Sequence, residues 1–180
     1  MKHKWILVVE DDQHDANFTL RAIAHEQSAF GVRTITLHDG SEALDCLHHR
    51  GHFQFREAAD SAVANPALVL LDLKMPKVDG KEVLRQIKTD PRLKTIPVVV
   101  FTSSREPVDL TDCYQMGANA YVVKPMEFGE FMDTVERLCV FWVYINEPPP
   151  GWSKSQPTAR KAATEIFKGR SPEAIPRHRL

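Results

Sequence analysis

The sequence predicts an α/β domain: a doubly wound, mostly parallel sheet of five strands with helices on both faces. Three observations predict it. Five short apolar runs alternate with segments of helical spacing, which is the pattern of repeated βαβ units. The runs are continuously apolar, as burial on both faces of a parallel sheet requires. About 145 residues precede a proline-rich ending, enough chain for one core.

The elements follow in order. A first strand is predicted over 6–9 and a first helix over 16–27, where Phe18, Ile23 and Ala24 supply the apolar stripe. The second strand covers 32–37 and the second helix 41–50, with Ala43, Leu44 and Leu47. A long connection, 48–66, carries His48, His49 and His52 and leads to the third strand over 67–71. Structureless loops of that length are uncommon, so either the helix is extended or an ordered loop is inserted. Val83, Leu84 and Ile87 mark the third helix over 79–89, followed by a strand over 96–101. The fourth helix runs from Pro107, a favoured first-turn residue, to Gly117, a favoured terminator. A fifth strand over 120–123 and a fifth helix over 127–145 complete the domain.

Charge divides the chain in two. The formal net charge is -1, yet residues 146–180 hold seven basic side chains (Lys154, Arg160, Lys161, Lys168, Arg170, Arg177, Arg179) against Glu147, Glu165 and Glu173. That leaves 16 basic and 21 acidic residues in positions 1–145, a net of -5. The expected organisation is one domain over 1–145 and a basic, proline-broken extension over 146–180. Pro148, Pro149 and Pro150 end any helix there, and a short helix is expected over 158–168. The extension is too short for a separate DNA-binding output module, and the acidic body is a poor non-specific partner for nucleic acid. No run of about 18 apolar residues suggests a membrane span. The short apolar stretch after Lys4 meets three acids and does not read as a secretory signal. Cys46, Cys113 and Cys139, in no CxxC spacing, fit a reducing cytoplasm and are expected in or near the core.

Ligands in such a sheet bind beyond the carboxyl ends of the strands. The first strand ends in Glu10-Asp11-Asp12, the third in Asp72, the fourth in Thr102-Ser103-Ser104 and the fifth in Lys124-Pro125. Taken singly, an acid after a strand is most often a turn or a helix cap. Four strand ends converging on one edge carry more. Carboxylates from two strands in one concavity repel, and a hard divalent cation is the natural neutraliser. Oxygen ligands with room for water suit Mg²⁺ better than zinc or copper. An aspartate so placed, beside a lysine and a threonine, has the equipment to accept a phosphoryl group as an aspartyl phosphate.

These residues carry a resemblance. Val8-Val9-Glu10-Asp11-Asp12, Leu70-Leu71-Asp72-Leu73-Lys74-Met75-Pro76 with Asp79-Gly80, Phe101-Thr102-Ser103, and Ala120-Tyr121-Val122-Val123-Lys124-Pro125 resemble the receiver domains of two-component response regulators, over residues 4–140. The resemblance implies a flavodoxin-like fold with strand order 2-1-3-4-5. It implies a signalling protein rather than an enzyme, switched by phosphorylation of Asp72 from a sensor histidine kinase. Asp11 matches the direct Mg²⁺ ligand, Glu10 an acid acting through metal-bound water, Asp72 a further ligand, and the Lys74 carbonyl the third protein ligand. Lys124 matches the lysine that pairs with phosphoryl oxygens, and its bond to Pro125 is expected to be cis. Thr102 and Tyr121 match the switch pair, Thr102 bonding the phosphoryl group and Tyr121 swinging inward. Asp12 is expected to cap the first helix rather than touch metal.

The 48–66 connection and the ending Phe141-Trp142-Val143-Tyr144-Ile145-Asn146-Glu147-Pro148-Pro149 resemble the stand-alone regulators that serve phytochrome-type kinases (bacteriophytochromes). The apolar run 140–145 cannot all face one core, so a covering tail or partner chain is expected. In this family the face of the fourth helix, fifth strand and fifth helix is a common dimer surface, and a homodimer is expected there with help from the C-terminal segment. Two rival functions stand beside this one. A Mg²⁺-dependent phosphohydrolase would typically carry an acid two residues after the nucleophile, where this chain has Lys74. A receiver that only binds would not need the intact set of acids, Thr102 and Lys124. His48, His49 and His52 are expected to form a solvated surface and not a metal site.

Overall fold

The structure, a computed structural model, describes residues 4–30, 32–53 and 65–148. Residues 54–64 of the long connection and the extension from 149 onward, with the helix expected over 158–168, lie outside the described residues.

Five strands, β1 (Trp5–Val9), β2 (Arg33–Leu37), β3 (Leu68–Leu71), β4 (Val98–Thr102) and β5 (Ala120–Val123), form one all-parallel sheet in the order β2-β1-β3-β4-β5. Between them run α1 (Gln13–Phe30), α2 (Gly40–Leu47), α3 (Gly80–Thr89), α4 (Pro107–Gln115) and α5 (Phe128–Cys139). The predicted fold class and strand order are therefore those observed.

The period of two along each strand sorts the core into two layers. Leu7 and Val9 of β1, Val69 and Leu71 of β3, and Val98 and Val100 of β4 face α2, α3 and α4. Ile6 and Val8, Leu68 and Leu70, and Val99 and Phe101 face α1 and α5. Each such side chain, fully buried, contributes roughly 1.5–3 kcal/mol of hydrophobic stabilisation. Burial on both faces holds for β1, β3 and β4 but not for the edges: β2 and β5 are only partly buried. An edge strand has one neighbour and incomplete helix cover, so its apolar run need not imply two-sided burial.

Helix boundaries follow local chemistry. The Asp12 carboxylate accepts the N–H groups of His14 (2.8 Å) and Asp15 (3.0 Å), so α1 begins three residues earlier than its apolar stripe suggests. Asp39, Asp79 and Glu127 cap α2, α3 and α5 in the same way, by accepting from Glu42, Glu82 and Glu130. Part of the acidic excess is thus helix capping. The second helix stops at Leu47 instead of residue 50, because His49 and Gly51 both adopt positive φ (54° each) and a short 3₁₀ turn, Gly51–Phe53, follows.

The fifth helix is α-helical only to Cys139 and then widens into a π-helical stretch, Val140–Ile145, where the Asn146 N–H reaches the Phe141 carbonyl at 2.7 Å. Val140, Val143 and Tyr144 are buried in the α1–α5 layer, Trp142 and Ile145 pack on it partly, and Phe141 remains 41% exposed. The apolar run is thus mostly accounted for by the chain's own core. The Lys4 ammonium donates to the Val143 carbonyl and ties the start of the chain to this last turn. Among the described residues no helix is long and apolar enough to cross a membrane, and the three cysteines are buried and form no disulfide.

Candidate functional site

Register places the site. Val9 pairs with Leu71, and Thr102 with Val123, so Glu10 and Asp72 emerge side by side and Lys124 emerges next to Thr102. Backbone bonds fix these ends: the Asp72 N–H donates to the Val9 carbonyl (3.0 Å) and the Lys124 N–H to the Thr102 carbonyl (2.8 Å). The pocket opens where strand order reverses, with β1 and β3 adjacent.

Lys124 is its centre. The ammonium donates to Glu10 Oε2 at 2.5 Å, Asp15 Oδ2 at 2.8 Å and Asp72 Oδ2 at 3.1 Å. The other Asp72 oxygen, Oδ1, accepts the Leu73 N–H at 2.6 Å, so both acceptor atoms of that carboxylate are oriented. Glu10, Asp72, Thr102 and Lys124 are all buried, whereas Asp11 is exposed. Burial lifts the Glu10 carboxyl to about 8 against the opposing pull of Lys124, with Asp72 and Asp15 adding to the rise. Burial alone would lower Lys124; the charges of Glu10 and Asp72 outweigh it and hold the ammonium above its ordinary value.

Carboxylate oxygens of Glu10, Asp11 and Asp72 lie within 4.8 Å of one another. One ammonium cannot neutralise these three and Asp15 as well. A set of hard oxygen donors, two buried and one open to water, fits a divalent cation of the Mg²⁺ or Mn²⁺ class. Asp11 and Lys74 line the same cleft of about 630 Å³, together with Met75, Lys81 and Asp109. Asp12 is engaged as the α1 cap and is not in the cluster. The Lys124–Pro125 bond is not cis: every peptide bond among the described residues is trans. The expectation of a cis bond is thus corrected in favour of the isomer that X-Pro bonds intrinsically prefer by about 0.5–1 kcal/mol.

Thr102 and Tyr121 meet at Ser104. The Ser104 N–H donates to Thr102 Oγ1 (3.3 Å), and the Tyr121 hydroxyl donates to the Ser104 carbonyl (3.1 Å). Tyr121 is partly buried, its ring packed on the α2–α4 layer. From Ser104 the contacts run outward: its hydroxyl donates to Asp109 (2.5 Å), and Lys81 on α3 bridges Asp109 (2.8 Å) and Asp112 (2.7 Å) on α4. These bonds hold the Asp109 carboxyl below the usual range, Lys81 first among the causes.

Sequence reasoning missed Asp15, although its place four residues beyond Asp11 was a signal that both lie on one side of the helix start. It also missed Asp39, which ends the β2 edge but serves the fold: burial would raise its carboxyl, yet bonds from Lys77 (2.6 Å), Ser41 (2.5 Å) and the Glu42 N–H hold it well below the usual range. Of the three histidines, His48 is not the solvated residue expected. Its ring is largely covered, accepts from Arg92 (3.2 Å) and lies 3.7 Å from Asp90, and burial lowers its pKa. No metal cluster forms there among the described residues.

Comparison with known proteins agrees with this geometry. The model of the response regulator receiver domain matches residues 6–136. The chain is 41% identical over 145 residues to the probable methanogenesis regulatory protein FilR2 of Methanothrix harundinacea, covering 80% of this chain and 86% of that one. To the response regulator Rcp1 of Synechocystis it is 34% identical over 140 residues, covering 78% and 89%. The crystal structure of the Mn²⁺-bound form of Rcp1 superposes with a TM-score of 0.72 over 81% of this chain and 99% of that chain. The bacteriophytochrome response regulator RtBRR is 42% identical, with a TM-score of 0.61 over 93% and 95%. The resemblance to stand-alone regulators of phytochrome-type kinases therefore extends to the whole domain. With its acid cluster, lysine and threonine at the ends of β1, β3, β4 and β5, and with this fold and these relatives, the chain belongs to the response regulator receiver family.

Proposed function

We propose that Asp72 takes a phosphoryl group from the phosphohistidine of a sensor histidine kinase of the phytochrome type, and that the charge gained there drives a conformational switch. The observation that carries this reading is the Lys124 ammonium, 3.1 Å from Asp72 and 2.5 Å from Glu10, beside three carboxylates clustered within 4.8 Å. An Asp72 oxygen attacks phosphorus while the bond to the imidazole nitrogen breaks. That nitrogen keeps the electron pair and takes a proton from solvent. Glu10, Asp11, Asp72 and the Lys74 carbonyl would hold Mg²⁺, which when bound neutralises charge on the phosphoryl oxygens. Lys124 shares that task from the other side, and both act mainly by electrostatics and positioning.

Thr102 supplies a hydroxyl to the phosphoryl group. Because Ser104 bonds to both Thr102 and Tyr121, a shift of Thr102 is passed to Tyr121 and along Asp109 and Lys81 to α3 and α4. That gives the two-state element a defined route to the surface. Buried cysteines that form no disulfide among the described residues support a reducing, cytoplasmic setting.

The test is direct. Acetyl phosphate with Mg²⁺ should add one phosphoryl group per chain by mass spectrometry, and an excess of EDTA should suppress it. Labelling that is indifferent to EDTA, or continual phosphate release from many esters, would refute the reading.

Exposed apolar side chains support a homodimer through α4, β5 and α5: Val108 is 61% exposed, Leu110 43%, Tyr114 50% and Phe141 41%. Light scattering at micromolar concentration should give twice the chain mass. A single-chain mass both with and without acetyl phosphate would count against the dimer.

A further inference from the structure

All three donors of Lys124 are taken, and one of the acceptors has no role in metal binding or phosphoryl acceptance. An ammonium has three N–H groups. Here three carboxylates receive them: Glu10 at 2.5 Å, Asp15 at 2.8 Å and Asp72 at 3.1 Å. A phosphoryl group on Asp72 brings three strong acceptor oxygens and, because the carboxylate's own charge is lost in the acyl phosphate, a net gain of about one negative charge. The donor now on Asp72 can follow the phosphoryl group, because the acyl phosphate no longer carries the carboxylate charge; a second donor can turn to those oxygens only by releasing Glu10 or Asp15.

The three carboxylates differ in how readily they let go. Side-chain exposure is 4% for Glu10, 8% for Asp72 and 33% for Asp15. A buried carboxylate deprived of its partner bears a large desolvation cost, while a partly exposed one is met by water. Asp15 is also outside the cluster of Glu10, Asp11 and Asp72. It is therefore the bond that yields, and until it yields it competes with the phosphoryl oxygens for the ammonium.

We infer that Asp15 is a positioning residue that restrains Lys124 and so sets how readily the phosphoryl group is accepted. The inference rests on the reading of Asp72 as acceptor. Asp15→Asn keeps the shape of the side chain and removes the charge that competes.

The experiment uses the full chain with Mg²⁺ and two probes. In the first, an Asp72 oxygen bonds to the phosphorus of acetyl phosphate as acetate leaves as its anion, and labelling rate is followed. In the second, beryllium fluoride, a mimic of the aspartyl-bound phosphoryl group, is titrated. Asp15→Asn should label faster and bind beryllium fluoride more tightly, each by about 1.5-fold to fivefold, the range of a partly screened ion pair. A structural defect would lower both quantities, not raise them. Asp12→Asn is the control: it removes an acid from the same helix start, one that caps α1 and makes no bond to Lys124. An equal gain in Asp12→Asn would mean bulk charge and overturn the inference, as would an unchanged or weakened response in Asp15→Asn. If wild type neither labels nor binds beryllium fluoride, the assignment of Asp72 fails first and this inference with it.

Discussion

Asp72→Asn incubated with acetyl phosphate and Mg²⁺ is expected to remain unlabelled while keeping its fold. The amide is nearly isosteric and its oxygen can still accept the Leu73 N–H that Asp72 Oδ1 accepts at 2.6 Å. Lys124 keeps two of its three partners, Glu10 and Asp15. What is lost is the nucleophile: an amide has no anionic oxygen to form the acyl phosphate. The variant should show wild-type circular dichroism and no mass gain. Undiminished labelling would place the acceptor on another residue and break the link between this strand end and the switch.

Gly80→Ala is expected to be the most damaging small substitution near the site. Gly80 opens α3, and a Cβ built there would lie 2.0 Å from the Asp72 carbonyl oxygen and 2.7 Å from Leu73 Cα. Both are backbone atoms. They are held by the Asp72 N–H bond to Val9 (3.0 Å) and by the Gly80 N–H bond to the Leu73 carbonyl (2.9 Å), so no side chain can move aside to make room. Relief requires α3 to draw back from the end of β3, which would pull Val83, Leu84 and Ile87 from the core and shift the Asp72 carboxylate. Overpacking of this kind costs about 3 kcal/mol. For a chain of this size that corresponds to a melting temperature lower by about 6–12 °C, with slower labelling of Asp72. A melting curve that coincides with wild type would show that the α3 start is free to adjust.

The two cases differ in what made them visible. Asp72 could be read from the chain because an acid directly after an apolar run must leave a parallel sheet at its carboxyl end, and ligands bind there. The same reasoning marked Glu10, Thr102 and Lys124. Gly80 could be read only as part of a motif: the contact that demands glycine is between a helix start and a strand end eight residues earlier, and depends on how closely they pack. Asp15 was less visible still. An acid in the first turn of a helix ordinarily complements the helix dipole, and only the fold shows that it reaches a lysine 109 residues away.

Boundaries and surroundings were decided in the same way. Alternating periodicities sufficed for five strands, five helices and their parallel arrangement, because the period of side chains is a local property of the backbone. They did not reveal that α5 ends in a π-helical stretch, that His48 is covered by Arg92 and Asp90, or that the edge strands are buried on neither face as fully as the central three. Each of those depends on neighbours distant in sequence.

By itself, then, the sequence determined the fold class, the family and the identities of the acid, hydroxyl and ammonium groups at the strand ends, because residue type and spacing are enough to specify local geometry and the end of the sheet where polar groups collect. Only the tertiary structure decided how Lys124 divides its three donors, which carboxylates are buried and which can be released to water, and which glycine cannot be replaced. Those outcomes rest on distances of 2–3 Å between segments far apart in the chain and on the loss of solvent around charged groups, which exist only once the layers have closed.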